Sequence, residues 1–70
     1  MTKEAFLEKW TNLNYVKNEK SIKVIDKETE KSVIWVMPKN NNIGVNTYYG
    51  VSLELMADFV ELMRDELKVW

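Results

Sequence analysis

Residues 52–70, Ser-Leu-Glu-Leu-Met-Ala-Asp-Phe-Val-Glu-Leu-Met-Arg-Asp-Glu-Leu-Lys-Val-Trp, are the longest stretch of the chain that reads as one helix, with no Gly or Pro inside it. At about 100° per residue, Leu53, Met56, Phe59, Val60, Met63, Leu67 and Trp70 fall on one side, and Leu55 and Leu62 widen it. Glu54, Asp58, Glu61 and Asp65 line the opposite side, with Glu66 at the rim of the apolar strip. Ser52 is the expected N-cap, because its hydroxyl can accept a backbone N–H that the first turn leaves unpaired. Glu54 and Asp58 near the start, and Lys68 near the end, suit the helix dipole. The apolar arc spans about half the circumference, against roughly 100° for an ordinary surface helix. A sheet covers only part of such an arc. The remainder calls for another helix, a second copy or a partner.

The segments before this helix read as strands. Pro38 to Asn42, with one Pro and three consecutive Asn, is turn chemistry. It leads into a strand from Ile43 to about Tyr49, ended by Gly50. Ser21–Asp26 and Ser32–Met37 are rich in Ile and Val and flank the loop Lys27-Glu28-Thr29-Glu30, a hairpin pattern. A four-residue loop sets Asp26 opposite Lys31, a favourable charge pair, with Val24 opposite Val33 and Ile22 opposite Trp35. Ile25, Lys23 and Ser21 then oppose Ser32, Ile34 and Val36. A five-residue loop aligns Met37 with Ile43 and Trp35 with Val45. Glu30 stands where such loops favour glycine in the left-handed conformation, so strain is expected there. Thr2 caps a first helix from about Lys3 to Asn14, with Phe6, Trp10 and Leu13 at i, i+4 and i+7, and Leu7 beside them.

The sequence therefore predicts an α+β fold over one domain, residues 1–70. Its order is α-β-β-β-α, a three-stranded antiparallel meander with both helices packed on one face. Parity puts Ile22, Val24, Val33, Trp35, Met37, Ile43, Val45 and Tyr49 beneath the helices. Ile25, Ile34, Val36 and Tyr48 are left on the open face among Ser21, Lys23, Ser32 and Asn46.

Composition narrows the chemistry. The chain has 70 residues, 46% of them hydrophobic, with three Trp, which is enough for a small core. It contains no Cys and no His, which removes disulfides, thiolate chemistry, the usual zinc sites and histidine acid–base catalysis. No enzyme activity, metal or cofactor is expected. Neither a signal-peptide core nor an apolar run of membrane-spanning length is present, so a cytoplasmic protein is expected. Residues 1–39 hold eight Lys and six acids, a net +2, while residues 40–70 hold Arg64 and Lys68 against five acids, a net −3. Neither half has the charge of a dedicated nucleic-acid or membrane surface.

Three patterns are candidates for function. Ile25, Ile34, Val36 and Tyr48 on the open sheet face, with Met56, Met63 and Trp70 from the last helix, form a candidate protein-interaction patch. A homodimer through that helix would account for its surplus of apolar surface. Glu54, Asp58, Glu61 and Asp65 form a row of carboxylates about one turn apart, suited to docking a basic surface or blocking a nucleic-acid site. Lys17, Lys20, Lys23, Lys31 and Lys39, interleaved with Tyr15, Trp35 and Tyr48, could make a stacking surface for single strands.

The order α-β-β-β-α at this length is similar to the double-stranded-RNA-binding domain. That family carries lysines at the start of its second helix, where this chain has Ser52-Leu53-Glu54-Leu55-Met56-Ala57-Asp58. In place of a Gly-Pro-x-His-like loop between the first two strands it has Lys27-Glu28-Thr29-Glu30. Acids facing phosphates oppose binding, so the RNA-binding function is not expected to come with the topology. The expected role is a non-enzymatic protein-interaction module with a second copy of itself among the candidate partners. The Lys-, Asn- and Ile-rich composition fits a small bacterial or phage accessory protein. A nucleic-acid-associated protein is the alternative.

Overall fold

Local chemistry opens each helix as the sequence implies. Thr2 Oγ1 accepts the Ala5 backbone N–H at 3.1 Å and starts α1 (Lys3–Lys9). Ser52 Oγ accepts the Leu55 N–H at 3.1 Å and starts α2 (Leu53–Leu67). Between them the computed structural model, which describes residues 1–40 and 42–67, has four strands. These are β1 (Leu13–Lys17), β2 (Ile22–Asp26), β3 (Ser32–Met37) and β4 (Asn42–Val45), with a 3-10 turn at Pro38–Asn40 before β4. They form one antiparallel sheet in the order β1-β2-β3-β4.

The extra strand corrects the expected three-stranded order to α-β-β-β-β-α, and the likeness to the RNA-binding domain in order of elements goes with it. The first helix ends at Trp10, whose backbone N–H bonds to the Phe6 carbonyl, and Thr11-Asn12 turn the chain. Leu13 and Tyr15 then face the helices while Asn14 and Val16 face away, a period of two rather than a continuation of α1. Trp10 and Leu13 share the i, i+3 spacing of a helix only by coincidence.

The loop between β2 and β3 closes as expected, with the Asp26 N–H donating to the Lys31 carbonyl at 2.9 Å. Asp26 Oδ1 caps it by accepting the Glu28 and Thr29 N–H groups, and Glu30 takes the left-handed conformation at φ 60°. Beyond the loop the register departs from the sequence reading. Ile25 pairs with Ser32 but Val24 pairs with Ile34, so Val33 is an extra residue in a β-bulge. Every later side chain of β3 changes face. Ile34 and Val36 turn toward the helices with Ile22 and Val24, while Trp35 and Met37 turn away. The core comprises Phe6, Leu13, Ile22, Val24, Val33, Ile34, Leu55, Phe59, Leu62 and Met63. The expected open-face positions of Ile34 and Val36 are thus reversed, and so are the expected inner positions of Trp35 and Met37. Because Val33-Ile34-Trp35-Val36 is apolar throughout, its pattern could not choose a face. The bulge lets both Val33 and Ile34 into the core.

Candidate protein-interaction surfaces

The residues singled out in the sequence do not converge on one patch. Ile34 is fully buried and Met63 nearly so, both inside the core. Val36 and Met56 pack against that core from its edge. Ile25 is half-buried on the helix-free face, and Tyr48 is almost wholly exposed in the turn after β4. Trp70 lies outside the described residues, as does Lys68.

The acidic row is occupied from within the chain. Lys9 Nζ lies 3.0 Å from a Glu54 carboxylate oxygen and 2.8 Å from Asp58 Oδ2. Trp10 Nε1–H donates to the same Asp58 oxygen at 2.9 Å, and the Met1 ammonium pairs with Asp65. Asp58 is buried, because α1 packs along this side of α2. The row is therefore the seam between the helices, and of its four carboxylates only Glu61 makes no ion pair among the described residues. The Lys9 ammonium, then the Trp10 N–H, hold the Asp58 carboxyl below its ordinary value of 3.8, and the two carboxylates hold Lys9 above 10.5.

With both helices on one side, the other face of the sheet carries Val16, Lys23, Ile25, Trp35 and Met37. Lys23 pairs directly with Trp35, and Trp35 with Gly44. A Cβ on Gly44 would stand 2.3 Å from Trp35 Cε2 and 2.4 Å from Nε1, so the indole rests on the bare backbone of β4. Beside it runs a shallow groove lined by Lys20, Ser21, Lys23, Ser32, Trp35 and Met37. Sequence reasoning joins Lys20 and Lys23 with Trp35 only in the candidate stacking surface and otherwise assigns Trp35 and Met37 to the core, so the seat of the indole on Gly44 was missed. The available signal was Gly44 itself, an isolated glycine in a strand between two inward apolar residues, which marks a close approach on the opposite face.

Gly44→Ala follows as a direct test. Alanine is ordinarily no worse than glycine in a strand, yet here the methyl group must displace the indole. A loss of about 1–3 kcal/mol is expected, with a shift in tryptophan emission. Unchanged stability and emission would show that the indole is not seated there.

A second apolar surface lies at the β4 edge. Ile43 is on the helix-bearing face but 51% exposed, because the helices do not reach that far across the sheet. On α2, Leu53 and Val60 are exposed on the flank turned away from α1. The buried side of α2 is centred on Leu55, Phe59 and Leu62, rotated from the side expected to hold Leu53 and Val60. The chain matches no protein-family model, no curated protein and no solved structure with which it was compared.

Proposed function

We propose that the protein is a non-enzymatic protein-interaction module whose partner docks on the helix-free face of the sheet around Trp35. The observation that carries this reading is the indole laid across Gly44, on a face that also bears Val16, Ile25 and Met37. Trp and Met are favoured at the cores of protein interfaces, where a large side chain already held in place loses little freedom on binding. Lys20 and Lys23 beside the groove call for an acidic patch on the partner.

The ionisable groups support a non-catalytic role. Asp58 is shifted down and Lys9 up by their pairing, and burial, then Glu66, raises the Tyr15 phenol above 10.0. All three move away from neutral pH, whereas acid–base catalysts are tuned toward it. No group of His, Cys, Asp and Glu suited to a metal occurs among the described residues. No helix among them is long and apolar enough to cross a membrane, which is compatible with action in the cytoplasm.

Affinity capture from the native host with wild-type and Trp35→Ser baits tests the proposal. The specific partner should be lost from the variant while its thermal unfolding stays cooperative. Equal recovery by both baits would remove this face as the binding site. A second reading rests on Lys20 and Lys23 sharing the groove with Trp35, since a single-stranded nucleic acid could stack a base on the indole and place phosphates by the lysines. Filter binding at low salt with no retention would dispose of it.

A further inference from the structure

The second open surface has a different character. β4 is an outer strand of the sheet, and its residues Asn42, Ile43, Gly44 and Val45 include no charge and no proline. Its pairing with β3 runs without a break in register, so no bulge bends it away from a neighbour. Edge strands ordinarily carry such devices because their unpaired backbone groups are a template for another strand, and of these devices β4 has only its short length of four residues. Above this edge the apolar side chains are also left open. Ile43 is 51% exposed, and on the flank of α2 turned away from α1 Leu53 is 86% and Val60 38% exposed.

The flank of α2 facing the edge follows from its periodicity. Glu54, Asp58 and Asp65 point to α1 and the chain's N-terminus, and α1 stands over the β1 side, with Lys3 Nζ 5.6 Å from the centre of the Tyr15 ring. At about 100° per residue, Leu53, Met56 and Val60 lie across the helix from that seam, toward β4. An unguarded strand edge and an apolar helix flank therefore open in the same direction.

We propose that the protein forms a two-fold dimer in which β4 pairs antiparallel with β4 of a second copy, joining two sheets into one, while Ile43 and the open flanks of α2 close over the join. This proposal is independent of the docking face around Trp35. A second copy suits the surface because of its charge. At a two-fold axis each group near the axis meets its own likeness, so a charged patch repels itself. β4 and the flank residues Leu53, Met56 and Val60 contain no charge, and Arg64, the charged residue next to them on α2, lines a hollow with Met1, Glu61 and Asp65, where carboxylates face it. The helix-free face fails the same requirement, since Lys23 stands in its middle and would meet a second ammonium.

Sedimentation of the full chain from low-micromolar to near-millimolar concentration reads the dimer directly. The wild type should reach twice the chain mass, with the amides of β4 gaining protection from hydrogen exchange as concentration rises. Ile43→Lys should raise the dissociation constant at least about tenfold, a change of about 1.4 kcal/mol. Leu53→Lys, at the most exposed of these sites, should weaken the dimer in the same direction and serves if Ile43→Lys fails to fold. Trp35→Lys should remain dimeric. A strict monomer at near-millimolar concentration would overturn the proposal. So would a dimer that ignores both Ile43→Lys and Leu53→Lys, or one whose β4 amides exchange freely. Loss of the dimer in Trp35→Lys alone would move the contact to the other face and overturn it equally. Apart from that last outcome, none of these results bears on capture of a partner at Trp35.

Discussion

Ile34→Lys is expected to leave the chain unfolded, whereas Trp35→Lys, one residue further on, is expected to fold. Ile34 has no accessible surface and lies in the core with Ile22, Val24 and Phe59. Replacing it removes an apolar side chain whose truncation alone costs about 2–5 kcal/mol. It also places an ammonium where no carboxylate waits, which adds a further penalty of several kcal/mol. A single core of this size supplies only about 3–5 kcal/mol in all. Trp35 is half-exposed on the opposite face, so a lysine there can reach water and the loss is confined to its packing on Gly44. Circular dichroism separates the two variants. A folded Ile34→Lys protein with wild-type melting behaviour would mean that the bulge at Val33 is absent and that β3 faces the other way.

Asp58→Ala should have the next largest effect. It strands the Trp10 indole N–H and removes the carboxylate that holds Lys9 between the two helices. Loss of a hydrogen bond to a charged group costs about 1.5–3 kcal/mol. In a domain this small a loss of about 2 kcal/mol lowers Tm by on the order of 10 °C. The pH dependence has a definite sign. The Asp58 carboxyl is held below its unfolded value, so its contribution is present above that value, near pH 4, and is lost as pH falls through the folded one. Lys9 is held above 10.5, so its contribution is present below that pH and is lost as pH rises through the folded value. Wild type should therefore weaken on acidification below about pH 4, and Asp58→Asn should flatten that limb. A variant with an unchanged acid limb would show that other carboxylates carry it.

The parts of the fold legible in the sequence are those set by local chemistry. The caps at Thr2 and Ser52, the span Ser32–Met37 and the left-handed Glu30 each depend on a few adjacent residues. What escaped depends on contacts far along the chain. The start of β1, Leu13 and Asn14, reads as part of α1 because Leu13 satisfies a helical spacing and a strand alternation equally well, and Tyr15 to Lys17 are given no strand. The bulge at Val33 adds nothing visible to an all-apolar run, yet it decides which of Ile34 and Trp35 is core. Asp58 read as solvent-facing because the partners that bury it, Lys9 and Trp10, lie 48 or more positions away in the chain. The candidate patch inherited these errors. Surplus apolar surface is present, but on Trp35, Met37, Ile43, Leu53 and Val60 rather than on Ile34 and Met63.

The placement of Trp35 on the side of the sheet opposite the helices has a consequence for avidity. Two copies joined edge to edge along β4 would present both indoles toward the same side of one shared platform. A ligand with two matching sites could then hold both at once, the second engagement occurring at an effective concentration on the order of millimolar. Weak single contacts would add up to durable attachment without either one being strong.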